Sequence, residues 1–129
     1  MTVNSKSSIA KTTKAAGDAA EAVALTYLQA QGLQLLERNY RTPGRGGGEI
    51  DLIMREQNGT LVFIEVRQRS STQHGGALAS ISTAKQKRIV YAAKHYLSSI
   101  NSVPPCRFDV VSLQDTVTWL KAAFDASGY

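Results

Sequence analysis

Two acids stand alone in apolar surroundings: Asp51 within Gly48-Glu49-Ile50-Asp51-Leu52-Ile53-Met54, and Glu65 within Leu61-Val62-Phe63-Ile64-Glu65-Val66. A carboxylate there is costly unless something pairs with it. Gln57-Asn58-Gly59 lies between the two runs, so they read as a β-hairpin. Side chains alternate along a strand. Glu49, Asp51 and Ile53 then share one face, and Ile50, Leu52 and Met54 the other. On the second strand Leu61, Phe63, Glu65 and Arg67 oppose Val62, Ile64 and Val66. Turn length decides whether the acids meet. A two-residue Asn58-Gly59 turn sets Asp51 opposite Val66 and puts the acids on opposite faces. A three-residue loop pairs Glu56 with Thr60 and sets Asp51 across from Glu65, with Gly59 in the left-handed place such a loop needs. We take the odd-length loop. Opposed carboxylates repel unless a cation lies between them. A hard cation, Mg²⁺ or Mn²⁺, takes oxygen ligands, for which Asp51, Glu65 and the carbonyl of Val66 are the candidates. Held there, it lowers the pKa of a water and offsets charge building on a phosphodiester.

Composition limits what surrounds this pair. A chain of 129 residues is large enough for one domain with a real core, placed over 15–129. No apolar run approaches the roughly 20 residues needed to span a bilayer, so no membrane partner and a cytoplasmic location are expected. Cys106 is the single cysteine, which excludes an internal disulfide and any zinc site of several cysteines. Net charge is +5, with a pI near 9.6. Between Glu65 and Asp109 no acid occurs, but seven basic residues do: Arg67, Arg69, Lys85, Lys87, Arg88, Lys94 and Arg107. Such a block fits a solvated face or a polyanionic partner, nucleic acid above all. Setting aside Glu21, Asp51 and Glu65 leaves 7 acids against 15 bases, an acidic pocket on a basic body. Metal and phosphate meet in a nuclease where the backbone is held. Arg45, Arg69, Lys85, Lys87 and Arg88 are the candidate backbone contacts.

The elements that must position these groups follow in order. Residues 1–14, rich in Ser, Thr and Lys, read as a disordered tail. From Ala15 to Gln31 the pattern is helical, with Ala20, Ala24, Tyr27 and Leu28 on a stripe and Gly32 as the stop. Glu21 is either an acid favoured by the helix dipole or a site residue. Leu33 to Arg41 reads as a strand. Pro43 and four glycines make Thr42 to Gly48 a mobile flap, and they match no phosphate-cradling motif. Ser70 to Ile81 is a polar loop whose His74 reads as solvent-facing rather than a ligand. A second helix spans Thr83 to Ser98, capped by Ser82 or Thr83. Gln86 extends its apolar stripe, and His95 reads as a surface residue. Arg107 to Leu113 and Val117 to Leu120 are the last strands, with Trp119 and Phe124 packing. Asp109 is either a supporting acid of the site or a structural partner for Arg107 or a helix residue, and we favour the structural role. The order gives α/β architecture with a central mixed sheet flanked by helices.

Several stretches also carry a resemblance. They are Ala16-Gly17-Asp18-Ala19-Ala20-Glu21-Ala22-Val23-Ala24, Leu36-Glu37-Arg38-Asn39-Tyr40-Arg41, Gly48-Glu49-Ile50-Asp51-Leu52-Ile53, Phe63-Ile64-Glu65-Val66-Arg67-Gln68-Arg69, Lys85-Gln86-Lys87-Arg88 and Arg107-Phe108-Asp109-Val110-Val111. In that order they resemble the YraN family of small bacterial proteins. That family is similar to the PD-(D/E)xK nuclease superfamily, particularly its Holliday-junction resolvases. The resemblance implies a restriction-endonuclease-like core and a metal-dependent endonuclease acting on structured or branched DNA. It implies a helical acid at Glu21, Asp51 as the central metal-binding acid and Glu65 as its partner in a Glu-x-Lys element. Gln86 falls in the helical motif that often completes such sites. A homodimer follows by analogy, because junction resolvases generally need two sites. One departure stands out, since Glu65-Val66-Arg67 has arginine where the pattern has lysine. Arginine stays protonated and cannot act as a base. Its fork still suits an attacking water or phosphate oxygens, and Lys85 is the lysine able to reach in from elsewhere. Without either contribution, the chain binds nucleic acid and cuts it poorly or not at all.

Overall fold

Ala20, Ala24 and Leu28 recur at four-residue intervals, and this buried stripe docks helix α1 (Thr12–Ala30) onto the sheet. The computed structural model describes residues 12–68 and 81–129. Of the tail expected over 1–14, residues 12–14 are helical and 1–11 lie outside the described residues, as do Arg69 and His74. Gly32, at φ 98°, ends α1, and the Leu33 N–H returns to the Leu28 carbonyl at 3.1 Å.

Five strands follow: β1 (Gln34–Arg41), β2 (Glu49–Arg55), β3 (Leu61–Gln68), β4 (Cys106–Leu113) and β5 (Val117–Phe124), hydrogen-bonded in that order. All neighbours are antiparallel except β3 and β4. A parallel pair needs a crossover, and α2 (Thr83–Leu97) lies on it. The Ser82 side chain accepts from the Lys85 N–H, which selects Ser82 as the cap. One helix covers each face. Leu52, Met54, Val62, Ile64 and Val111 pack under α1, whereas Ile53, Phe63 and Phe108 pack under Ile89, Val90 and Ala93 of α2. Each such side chain contributes roughly 1.5–3 kcal/mol of burial. This is the α/β single-domain, restriction-endonuclease-like arrangement that was expected. No helix among the described residues is long and apolar enough to cross a membrane.

The hairpin has the odd loop. The Glu56 N–H donates to Thr60 O, the Gly59 N–H donates to Glu56 O, and Gly59 sits at φ 95°. Leu52 pairs with Ile64 and Ile53 with Phe63, a register that brings Asp51 level with Glu65.

One face assignment needs correction. Ile50 packs on the α2 side with Ile53, while Leu52 and Met54 pack on the α1 side. The switch falls opposite an irregular residue of the partner strand. Asn39 lies between the Arg38–Leu52 and Tyr40–Ile50 pairs at φ 55°, a left-handed residue that breaks strict alternation.

The glycine loop also differs from a free flap. The Thr42 N–H donates to Gly48 O at 3.0 Å, and the Gly48 N–H donates to Thr42 Oγ1 at 2.7 Å, closing its base. At Gly48 an added Cβ would lie 2.0 Å from the Arg88 carbonyl, so only glycine lets this loop meet α2.

Asp109 takes the structural role. It is fully buried and accepts from Arg107 Nε at 2.8 Å, Trp119 Nε1 at 2.9 Å and the Ala122 N–H at 2.9 Å. Those bonds hold a bulge in β5 in which Ala122 adopts φ 52°. The strand runs on to Phe124, past the expected end at Leu120.

Candidate metal centre

β2 and β3 deliver Asp51 and Glu65 side by side, just beyond the last ladder pair. The Val66 N–H donates to Asp51 Oδ2 at 2.8 Å. The N–H and C=O of a strand residue face the same neighbour, so the Val66 carbonyl lies on the Asp51 side of β3. Glu65 is 4% exposed. Its Oε2 faces two cations, Arg67 at 3.6 Å and Lys85 at 3.7 Å. Its Oε1 is buried with no hydrogen-bond donor.

The electrostatics follow from that geometry. Burial, and then the neighbouring Asp51 charge, push the Glu65 carboxyl up to about 8, against the pull of Lys85 and Arg67. Burial raises Asp51 as well, opposed chiefly by the Val66 N–H. Glu21, on α1, is raised by burial and then by the charge of Asp51, with Arg38 and Asn39 partly offsetting this. Its Oε1 also lacks a donor, and Arg38 Nε stands 3.7 Å away. The Asp51 charge therefore reaches Glu65 on one side and Glu21 on the other.

A buried carboxylate oxygen without a donor, beside a second carboxylate, is the environment a cation completes. Hard oxygen donors suit Mg²⁺ or Mn²⁺. Among the described residues no three His, Cys, Asp or Glu side chains converge tightly enough to hold a metal ion. The groups that could contribute to holding such an ion are Asp51, Glu65 and the Val66 carbonyl. Mg²⁺ typically completes such a set with waters and substrate phosphate.

The remaining candidates divide. Lys85 and Arg67 join the pair. Gln86 does not: its amide nitrogen donates to Ile81 O at 3.2 Å, and its amide oxygen accepts from the Tyr129 hydroxyl at 3.3 Å. Lys87 and Arg45 are exposed, and Arg88 Nη2 reaches Glu49 Oε1 at 3.1 Å. Sequence reasoning gave no role to Arg38, Asn39 or Glu49. Arg38 and Asn39 appeared only within the resemblance, and Glu49 only there and as a strand position.

Comparison with known proteins returns one family. The family described as "Uncharacterised protein family UPF0102" matches residues 20–113. A UPF0102 protein of Albidiferax ferrireducens is 65% identical over 116 residues, covering 89% of this chain and 91% of the relative. Others come from Polaromonas naphthalenivorans (63% identity; 90% of this chain, 82% of the relative) and Paracidovorax citrulli (66%; 89% and 86%).

Proposed function

This chain belongs to the UPF0102 (YraN) family, and from its acidic pair we propose a Mg²⁺- or Mn²⁺-dependent nuclease acting on structured DNA. The observation that carries the proposal is Glu65 Oε1, a buried carboxylate oxygen with no donor beside Asp51.

Asp51, Glu65 and the Val66 carbonyl would hold the ion, whose contribution is Lewis-acid stabilisation of the charge that builds on a phosphodiester. The chain's own residues do the rest. Arg67, about one-third exposed and tethered to Glu65, presents a planar fork suited to phosphate oxygens. Lys85 supplies the second positive charge at the lip of the site. Glu21, through Asp51, adds negative charge that strengthens cation capture.

A second reading is favoured by Arg67 itself. With arginine in the lysine position, a protein that binds DNA and turns it over slowly is the alternative.

The test is cleavage of flap, four-way-junction and single-stranded DNA with Mg²⁺ and with Mn²⁺, by wild type and by Asp51→Asn. Metal-dependent cleavage that vanishes in Asp51→Asn supports the nuclease. Wild type that cuts none of these with either metal overturns it, and salt-sensitive DNA binding without cleavage supports the alternative.

A further inference from the structure

The sequence of the glycine loop matches no phosphate-binding motif, yet its folded form makes a recess of about 240 Å³ between β1, β2 and α2. Arg41 and Arg88 flank it, from β1 and from α2. Both guanidinium groups lean on a single carboxylate: Glu49 Oε1 is 3.1 Å from Arg88 Nη2, and Glu49 Oε2 is 3.9 Å from Arg41 Nη2. Two positive charges thus share one negative charge. A guanidinium carries five N–H donors. Arg88 uses one of them on Glu49, and at 3.9 Å Arg41 uses none there. Glu49 therefore tethers the two forks while leaving most of their donors unused by it, and the three side chains together carry a net positive charge at the recess.

The backbone adds to this. Gly44 and Gly46 adopt φ 86° and 68°, with nothing within 4 Å of where a Cβ would stand. Among the described residues the N–H groups of Gly44, Arg45 and Gly46 donate to no acceptor. Concavities lined by such amides favour anions. The base of the loop is fixed by the Thr42–Gly48 bonds and by its contact with α2, so the recess is preformed.

Position supplies the ligand class. Glu49 is two residues from Asp51, and its charge is felt by the Asp51 carboxyl. An anion in the recess, which Glu49 lines, thus lies beside the acidic pair. We infer that the β1–β2 loop, Arg41 and Arg88 seat a phosphate of the nucleic-acid backbone, adjacent to the phosphate presented to Asp51 and Glu65. This deepens the nuclease reading and rests on it for the identity of the polymer, but it assigns a separate site to residues outside the metal centre.

The two readings separate in experiment. In EDTA, where metal-dependent cutting is stopped, the affinity of wild type for labelled junction DNA is followed against salt by fluorescence anisotropy. Arg41→Gln/Arg88→Gln is expected to lose roughly tenfold to a hundredfold in affinity at low salt. Its log–log salt slope becomes shallower by about one per arginine. Lys121→Gln, which removes a charge from β5 at the opposite edge of the sheet, keeps the wild-type slope. Gly46→Asp sets a carboxylate at the mouth, in a conformation aspartate tolerates, and weakens binding without removing any arginine. Mn²⁺ titration by calorimetry, run on the same proteins, reads the metal centre independently. Loss of DNA affinity with Mn²⁺ binding retained supports the phosphate seat, and it still does so if wild type binds no Mn²⁺ and only the metal reading falls. DNA affinity and slope unchanged in the double arginine variant, or lowered equally in Lys121→Gln, overturn it. Inorganic phosphate at matched ionic strength forms the last arm. Arginine-dependent binding of phosphate without DNA binding would make the recess a free-phosphate site and also overturn the backbone assignment.

Discussion

Replacing Glu65 with glutamine should make the metal-free protein more stable at alkaline pH. Unfolded, the carboxyl titrates near 4.5; folded, burial and Asp51 hold it up to about 8. Between those values the folded chain keeps a proton that the unfolded chain has lost. Stability therefore falls as pH rises through that window and is fully retained only below its lower end. At about 1.4 kcal/mol per pH unit the span from 4.5 to about 8 sets a ceiling of ~5 kcal/mol. Glutamine keeps the shape, has no charge to desolvate and removes the repulsion with Asp51. At roughly 4 °C per kcal/mol for a chain of this size, the Tm of Glu65→Gln at pH 9 should exceed that of wild type by on the order of 10–20 °C. Near pH 4.5 the gap should close. Thermal unfolding in EDTA from pH 4.5 to 9 measures both curves. A wild-type Tm that stays flat across the range, or a Glu65→Gln curve parallel to it, would refute the claim that burial and Asp51 disfavour the ionised form of Glu65.

Four further outcomes follow from the same structure. Asp109→Asn should cost about 1.5–3 kcal/mol in urea denaturation, because the charged bonds from Arg107 are weakened along with those that hold Trp119 and Ala122, while Arg107 keeps its pair with Glu56. Gly48→Ala should cost about 3 kcal/mol or more, since its Cβ would meet the Arg88 carbonyl at 2.0 Å. Gly44→Ala, with open space but positive φ, should cost only about 1 kcal/mol by the same measurement. Arg67→Lys restores a group able to give up a proton, and initial rates on junction DNA should rise by roughly a hundredfold; an unchanged rate would mean that lysine is not what the site lacks.

What the sequence revealed about this site came from short-range rules. Asn58-Gly59 and the parity of the loop brought Asp51 level with Glu65, because a period of two leaves no intermediate register. A cap at Ser82 or Thr83 was legible, and so was Arg107 as one possible partner for Asp109, for the same local reasons. The departures came from tertiary context. Ile50 changed face opposite Asn39, a left-handed residue on a different strand. Gln86 occupied the expected stripe, but its amide found Ile81 and Tyr129, which no helical spacing reports. The glycines of the β1–β2 loop read as freedom. Gly48 instead serves close approach to α2, a use visible only once the helix is in place.

Calorimetric titration of Mn²⁺ into wild type, Asp51→Asn and Glu65→Gln at neutral pH tests the account most directly. Wild type should bind, and each variant should lose most of that affinity while remaining folded by circular dichroism. Wild type that takes up no Mn²⁺, or variants that bind it as wild type does, would contradict the claim that these two carboxylates form a cation site.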